Sequence, residues 1–320
     1  MKLLFSKTTL ITPTLPFNFD ATFFKPDHFT TNDHEYKKGT PWQTMDWRSN
    51  KLGLKFRLAK IKGKSMVELT VFSNEELTKE YIESVKAETI FRYNLNLDLR
   101  EFYKFSAKDD LLARSIRQLK GMRPGHQSSL YEYLIIGIIL QNASVRRSVQ
   151  MFRNLLTKYG TKLEFDGHKL LCLWDVGRFK SIGEQELRDL KVGYRARSII
   201  KIDNQFSDGN LDEFDLRKKS VDEQKKILLS LYGVGPATVW YLLFDVFHHW
   251  EVFEHISPWE QKLYSQMFFG KNLATIPQLF RYINKFGKYK HLAVHYIWEK
   301  YWWDRYNGKI YDWFEKEIRL

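Results

Sequence analysis

Over the first hundred or so residues, apolar and polar positions alternate in LITPTLPFNF, PWQTMDW, LGLKFRLAKIKG and SMVELTVFS, with Gly or Ser and Asn at the breaks. A period of two sends neighbouring side chains to opposite faces, which predicts strands of an antiparallel sheet with one face buried. Two stretches at helical spacing follow, NEELTKEYIESVKAETIFRYN and SAKDDLLARSIRQL. They predict two helices, with the sheet covered by a helix. From about Leu111 the period changes to 3.6 and stays there, through SLYEYLIIGIILQNA, SVRRSVQMFRNLLTKYG, GYRARSIIKIDNQF, SVDEQKKILLSL, PATVWYLLFDVFHHW, IPQLFRYINKF and KHLAVHYIWEKYWWDRY. The breaks are short and carry glycine. The chain therefore reads as α+β, with an antiparallel sheet-plus-helix domain over residues 1–110 and a larger all-helical domain over 111–320.

Charge changes this picture more than composition does. Lys and Arg number 51 against 38 Asp and Glu, a net +13 spread along the chain. That favours a polyanionic partner, nucleic acid first and an anionic membrane surface second. The single cysteine, Cys172, excludes an intrachain disulfide framework, a four-cysteine zinc site and a cysteine-ligated iron–sulfur cluster. It points to an intracellular protein. No apolar run is long enough for a secretory signal or a membrane span. Aromatic residues make up 16% of the chain, which suits both stacking on flat ligands and an aromatic core.

The unit SVDEQKKILLSL, YGVG, PATVWYLLFDVF carries the first candidate chemistry. One helix ends near Tyr232, Gly233 and Gly235 open backbone geometries closed to other residues, and Pro236 suits a first helical position. This predicts a helix–hairpin–helix. Gly233, Val234, Gly235, Ala237 and Thr238 would turn backbone N–H groups outward at a helix start, where the dipole also favours an anion such as a DNA phosphate. A glycine C-cap followed by an ordinary helix is the alternative.

The segments from about Lys120 to Trp298 resemble the helix–hairpin–helix DNA glycosylases, the superfamily of endonuclease III, 8-oxoguanine glycosylase and 3-methyladenine glycosylase II. The resemblance rests on KGMRPGHQSSLYEYLIIGIILQNASVRRSVQMFRNLLTKYG, ELRDLKVGYRARSII, LLSLYGVGPATVWYLL and RYINKFGKYKHLAVHYIW, in that order and spacing. It is nearest the 3-methyladenine and 8-oxoguanine branches, which also carry an N-terminal sheet. It implies an intracellular, DNA-associated, monomeric enzyme of base excision repair that flips a damaged base out of duplex DNA, with no membrane partner. It implies no metal and no cofactor, leaving room for a monovalent cation at the hairpin turn.

The resemblance also assigns roles residue by residue. Asn142, beside Gln141, falls where the superfamily inserts a wedge into the gap left by the flipped nucleotide. A helix cap is the other reading of Asn142. Tyr241, Phe286 and Tyr289 fall on base-pocket positions. Lyase-competent members carry lysine where this chain has Ala237, so no Schiff base is expected. The catalytic aspartate position falls at or beside Ser257. Ser257, Pro258 and Glu260 together spell a capping box, which explains the serine structurally. Glu254 and Glu260 are the carboxylates close in sequence that could serve instead. Glu254 is the expected acid and Glu260 the expected cap. Two functions stand: a monofunctional N-glycosylase acting on an alkylated base, and a catalytically silent lesion-binding protein of the same fold, with RNA binding a third.

Overall fold

The computed structural model describes residues 1–318 apart from positions 27, 30 and 38. Strands β1 (Phe5–Ile11), β2 (His34–Lys37), β3 (Thr40–Trp47), β4 (Asn50–Ile61) and β5 (Lys64–Ser73) form one sheet in the order β1-β5-β4-β3-β2. Every neighbouring pair is antiparallel. The alternation buries Leu52, Leu54, Phe56, Val67, Leu69 and Val71 on one face. Helices α1 (Phe19–Phe23) and α2 (Lys79–Arg92) pack against them through Phe19, Phe23, Ile82 and Val85. The α1 turn begins at Phe19, the last residue of the LITPTLPFNF stretch expected to be extended. Asn18 caps it, accepting a hydrogen bond from the Ala21 amide at 3.0 Å.

Helices α3 (Arg100–Tyr103), α4 (Asp110–Leu119), α5 (Leu130–Leu140) and α6 (Val145–Tyr159) come next. The all-helical expectation for 111–320 then needs correcting. Strands β6 (Thr161–Phe165) and β7 (His168–Cys172) form a hairpin that packs on the N-terminal sheet. The turn residues Asp166 and Gly167 have φ of 49° and 78°, the left-handed pair of a tight two-residue hairpin. The ring of Phe165 fills the space over Gly53, only 2.6 Å from where a β-carbon there would stand. The Trp42 indole donates to Asp166 at 2.7 Å, which pins the hairpin to β3.

The remaining helices are α7 (Glu184–Leu187), α8 (Arg195–Ser207), α9 (Glu213–Leu216), α10 (Val221–Ser230), α11 (Pro236–Asp245), α12 (Pro258–Phe269), α13 (Ile276–Asn284), α14 (Lys290–Tyr306) and α15 (Asp312–Ile318). They gather around two cores. One is built by α5, α6, α8, α10 and α11, with Leu134, Ile138, Leu155, Ile199, Leu228 and Val239 among its buried residues. The other is built by α4 and α12 to α15, with Leu112, Leu263, Ile283, Tyr296 and Phe314. Although α4 precedes the first core in sequence, it belongs to the second: Gln118 reaches Asp304 on α14 at 2.5 Å. Helices α11 and α12 therefore face each other across the seam between the two cores.

Candidate functional site

The hairpin is built from local rules. Ser220 and Glu223 close a capping box at the start of α10, which runs to Ser230. The Val234 amide then bonds back to the Leu231 carbonyl at 3.1 Å. Gly233 has φ of +81°, and a β-carbon there would lie 2.3 Å from Ser198 Oγ, so both conformation and packing require glycine. Gly235 differs from the expectation. Its φ of −111° and ψ of 174° are extended geometry open to any residue, and nothing lies within 4 Å of a β-carbon there. It supplies no side-chain cap to α11. The first amides of that helix thus remain available to an external acceptor. The Val234 and Thr238 side chains are buried, so only their backbone can serve such a contact. Thr238 presses against Gly137 of α5, where a β-carbon would meet it at 2.7 Å, and this close approach seats α11 on the first core.

One turn further along α11 the seam opens into a small cleft lined by Ala237, Trp240, Tyr241, Phe253, Glu260 and His291, with His255 beside them. Ala237, Trp240 and Tyr241 are spaced i, i+3, i+4, one face of the helix. Glu260 enters from the first turn of α12 and is 7% exposed. Its Oε2 accepts the Ser257 amide at 2.7 Å, while its own amide donates to Ser257 Oγ at 3.3 Å. The expected capping box is thus formed. Its carboxylate is also part of the cleft wall: Oε1 accepts from the Tyr241 hydroxyl at 3.0 Å and the Tyr264 hydroxyl at 3.3 Å. Burial, and then the Glu260 carboxylate, pushes both phenols well above the usual range, so they remain donors. A carboxylate at a helix start is also favoured by the dipole. The cavity is about 10 Å³, room for roughly one water. Tyr241 is 42% exposed as a whole residue, but its hydroxyl is turned in onto the carboxylate.

Glu254 is placed otherwise than expected. It is exposed and ion-paired to Lys225 of α10 at 2.8 Å, and it does not line the cleft. The short connection from Phe253 to Ser257 turns Phe253 and His255 inward and Glu254 out. Phe286 and Tyr289 also fall outside the cleft. Phe286 is fully buried in the second core, and Tyr289 packs edge-on against Phe102 at 5.6 Å. Sequence reasoning missed Trp240, Phe253, Tyr264 and His291. The helical spacing from Ala237 was the available signal for Trp240. His291 comes from α14, its Nδ1 bonded to the Val252 carbonyl at 2.7 Å, and burial pushes its pKa down to about 3.

On the other side of the hairpin, Asn142 is exposed with φ of 47°, just past the end of α5. Ser144, not Asn142, is the N-cap of α6, and Asn142 is the left-handed residue that follows Gln141, the C-cap of α5. Its amide reaches the Tyr194 hydroxyl at 3.4 Å, and Gln141 donates to the Gly233 carbonyl at 2.6 Å. Arg195 bonds the Gln141 carbonyl and lies 4.7 Å over the Tyr194 ring. The structure thereby joins Gln141, Asn142, Tyr194 and the hairpin into one exposed ridge. Arg146 and Arg147 stand exposed in the first turn of α6, where the dipole disfavours cations unless an anion binds there. Among the described residues no group of three or more His, Cys, Asp or Glu could hold a metal ion, and no helix is long and apolar enough to cross a membrane.

The chain thus combines a sheet-led α+β fold, a helix–hairpin–helix and a buried carboxylate in a small cleft one turn beyond it. No protein-family model matches the chain. Two curated proteins do. A DNA-3-methyladenine glycosylase of Bacillus subtilis is 25% identical over 192 residues, 56% of this chain and 63% of the relative. A probable N-glycosylase/DNA lyase of Methanothermobacter thermautotrophicus is 24% identical over 209 residues, 58% and 64% of the two chains. The chain thus spans just under two thirds of the length of these relatives. Among solved structures, the 3-methyladenine DNA glycosylase from Archaeoglobus fulgidus superposes with a TM-score of 0.74 at 16% identity, over 93% of this chain and 99% of that one. The 8-oxoguanine glycosylase/lyase of Clostridium acetobutylicum gives 0.67 at 17% identity, over 94% and 100%. The chain has the helix–hairpin–helix DNA glycosylase fold, as the sequence resemblance implied.

Proposed function

We propose that this protein is a monofunctional DNA N-glycosylase that excises a damaged, alkylated base, and that Glu260 is the carboxylate beside the reacting sugar. The observation that carries this reading is the Glu260 side chain, buried in the cleft one turn beyond the hairpin and fixed by Tyr241, Tyr264 and the Ser257 amide. As the N-glycosidic bond breaks, its electron pair leaves with the base and positive charge develops on the sugar. A preorganised carboxylate stabilises that charge, and water adding at C1′ gives up its proton to it. An alkylated purine already carries positive charge and leaves readily, so it demands least of such a site. Ala237 in the cleft wall offers no amine, so the strand stays intact after base loss.

The test is base release from a panel of alkylated and oxidised duplexes, with strand scission scored before and after alkali. Release of an alkylated base, with scission only after alkali, is the expected outcome. Scission without alkali contradicts the monofunctional reading. A second reading, a lesion-binding protein without chemistry, is favoured by one observation: Glu260 is already engaged in the helix cap and the cleft holds about one water. It requires that no substrate on the panel loses a base.

A further inference from the structure

The N-terminal sheet is not evenly wide. Strand β3 pairs with β4 only as far as Lys55, opposite Trp42. Strand β1 pairs with β5 only from Val67 onward, opposite Ile11. Beyond those limits β4 and β5 pair with each other alone, through Ala59 with Met66, Lys60 with Ser65 and Ile61 with Lys64. A tight turn at Lys62 and Gly63, with φ of 49° and 77°, closes them. The result is a two-stranded ribbon reaching about 10 Å past the sheet at roughly 3.4 Å per residue. The core runs out along it: Phe56 is buried, whereas Leu58, next on the same face, is 46% exposed.

Its charge is one-sided. Between Asp46 and Glu68 the chain has seven cations and no acid. The inner two lysines are neutralised by partners: Lys51 by Asp46 and Asp175, and Lys55 by Asp166. The outer four, Arg57, Lys60, Lys62 and Lys64, are exposed and form no ion pair among the described residues. Lysines that merely guard an open sheet edge need not exclude acids over so long a stretch. A narrow, projecting, cationic ribbon with aliphatic flanks matches the dimensions of a duplex groove and the charge of its phosphates.

We propose that the outer end of the β4–β5 hairpin is a second duplex-nucleic-acid contact, separate from the helix–hairpin–helix, in which Arg57, Lys60, Lys62 and Lys64 grip phosphates. It rests on the glycosylase reading for the identity of the polyanion. The ribbon positions duplex without touching the cleft, so it adds affinity and salt dependence and leaves base removal unchanged.

The test combines Lys60→Gln, Lys62→Asn and Lys64→Gln in the full chain, with Asn at 62 because it tolerates the left-handed backbone there. Binding to an undamaged duplex is measured against salt, beside melting and single-turnover base release at saturating DNA. Three lost phosphate contacts lower the slope of log K against log salt by about 2–3, at roughly 0.9 per phosphate. Release and melting stay as in the wild type. An unchanged slope overturns the proposal, as does polyglutamate competing with the wild type as well as duplex of equal charge. Wild type that binds no duplex even at low salt overturns the glycosylase reading as well. Wild type that binds, with Gly235→Asp impaired and the triple variant not, overturns the ribbon alone.

Discussion

The Tyr241 hydroxyl stands 3.0 Å from Glu260 Oε1, and Tyr264, one turn further along the same helix as Glu260, donates to the same oxygen at 3.3 Å. Two phenols on one carboxylate oxygen fix its direction, and the Tyr241 bond joins α11 to α12 across the seam while the Tyr264 bond lies within α12. Tyr264 is the more buried of the two. Tyr264→Phe should therefore cost about 1 kcal/mol of stability, the worth of one net hydrogen bond. It should also slow base release several-fold through loosened positioning, with duplex affinity unchanged. Urea unfolding and single-turnover kinetics on one preparation check both.

The two hairpin glycines should behave differently. Gly233→Ala places a β-carbon against Ser198 at a positive φ and should destabilise by about 1–3 kcal/mol. Gly235→Ala meets open space at an ordinary φ and should leave melting unchanged. Gly235→Asp should also fold normally while weakening binding to damaged and intact duplex alike, because it sets a negative charge at the uncapped amides of α11. Thermal melts beside duplex titrations separate the two effects.

How much of this was legible beforehand follows from the range of each signal. The sheet, the long helices and the hairpin were readable because periodicity and caps are local. The β6–β7 hairpin carried its own local signal, Asp166 and Gly167 between short alternating runs, but lay between strong helical stretches that masked it. The cleft was harder. Ser257 and Glu260 spelled a cap, and the cap forms, yet a cap and a buried site carboxylate look identical in sequence. Glu254 lies in a short connection and Glu260 in the first turn of α12, and which of them faces the cleft is set by the packing of Phe253 and Ile256 into the second core. Phe286 belongs to an apolar face at helical spacing, and nothing local told core from pocket.

The ridge formed by Asn142 and Tyr194 should act only once a base has left the stack. Asn142→Ala and Tyr194→Ala should each reduce the preference for lesion-bearing over intact duplex by more than they reduce general affinity. Competition binding between the two duplexes reads this directly. Equal losses on both would make the ridge a plain backbone contact.

Acid should destabilise the fold through its buried histidines, His291 among them. Burial holds the folded pKa of His291 near 3, below the ordinary 6.5, so between those values the unfolded chain binds the proton and the folded one does not. Its contribution is fully present above pH 6.5 and is lost as pH falls toward 3. Urea midpoints measured from pH 7 to 4 should decline, and His291→Phe, which cannot titrate, should make the decline shallower while the other buried histidines keep the rest of it.

Single-turnover release of an alkylated base by wild type, Glu260→Gln and Glu254→Gln tests the central claim most directly. Glutamine is also accepted at the third position of a capping box, and the phenols can turn to accept from its amide, so the cap survives while the charge is lost. Removing a preorganised charge of this kind costs on the order of 10²–10³ in rate. Glu260→Gln should show that loss with melting and duplex affinity close to wild type. Glu254→Gln, which breaks only an exposed ion pair with Lys225, should release base at the wild-type rate. Full activity in Glu260→Gln, or a loss confined to Glu254→Gln, would contradict the placement of the acid.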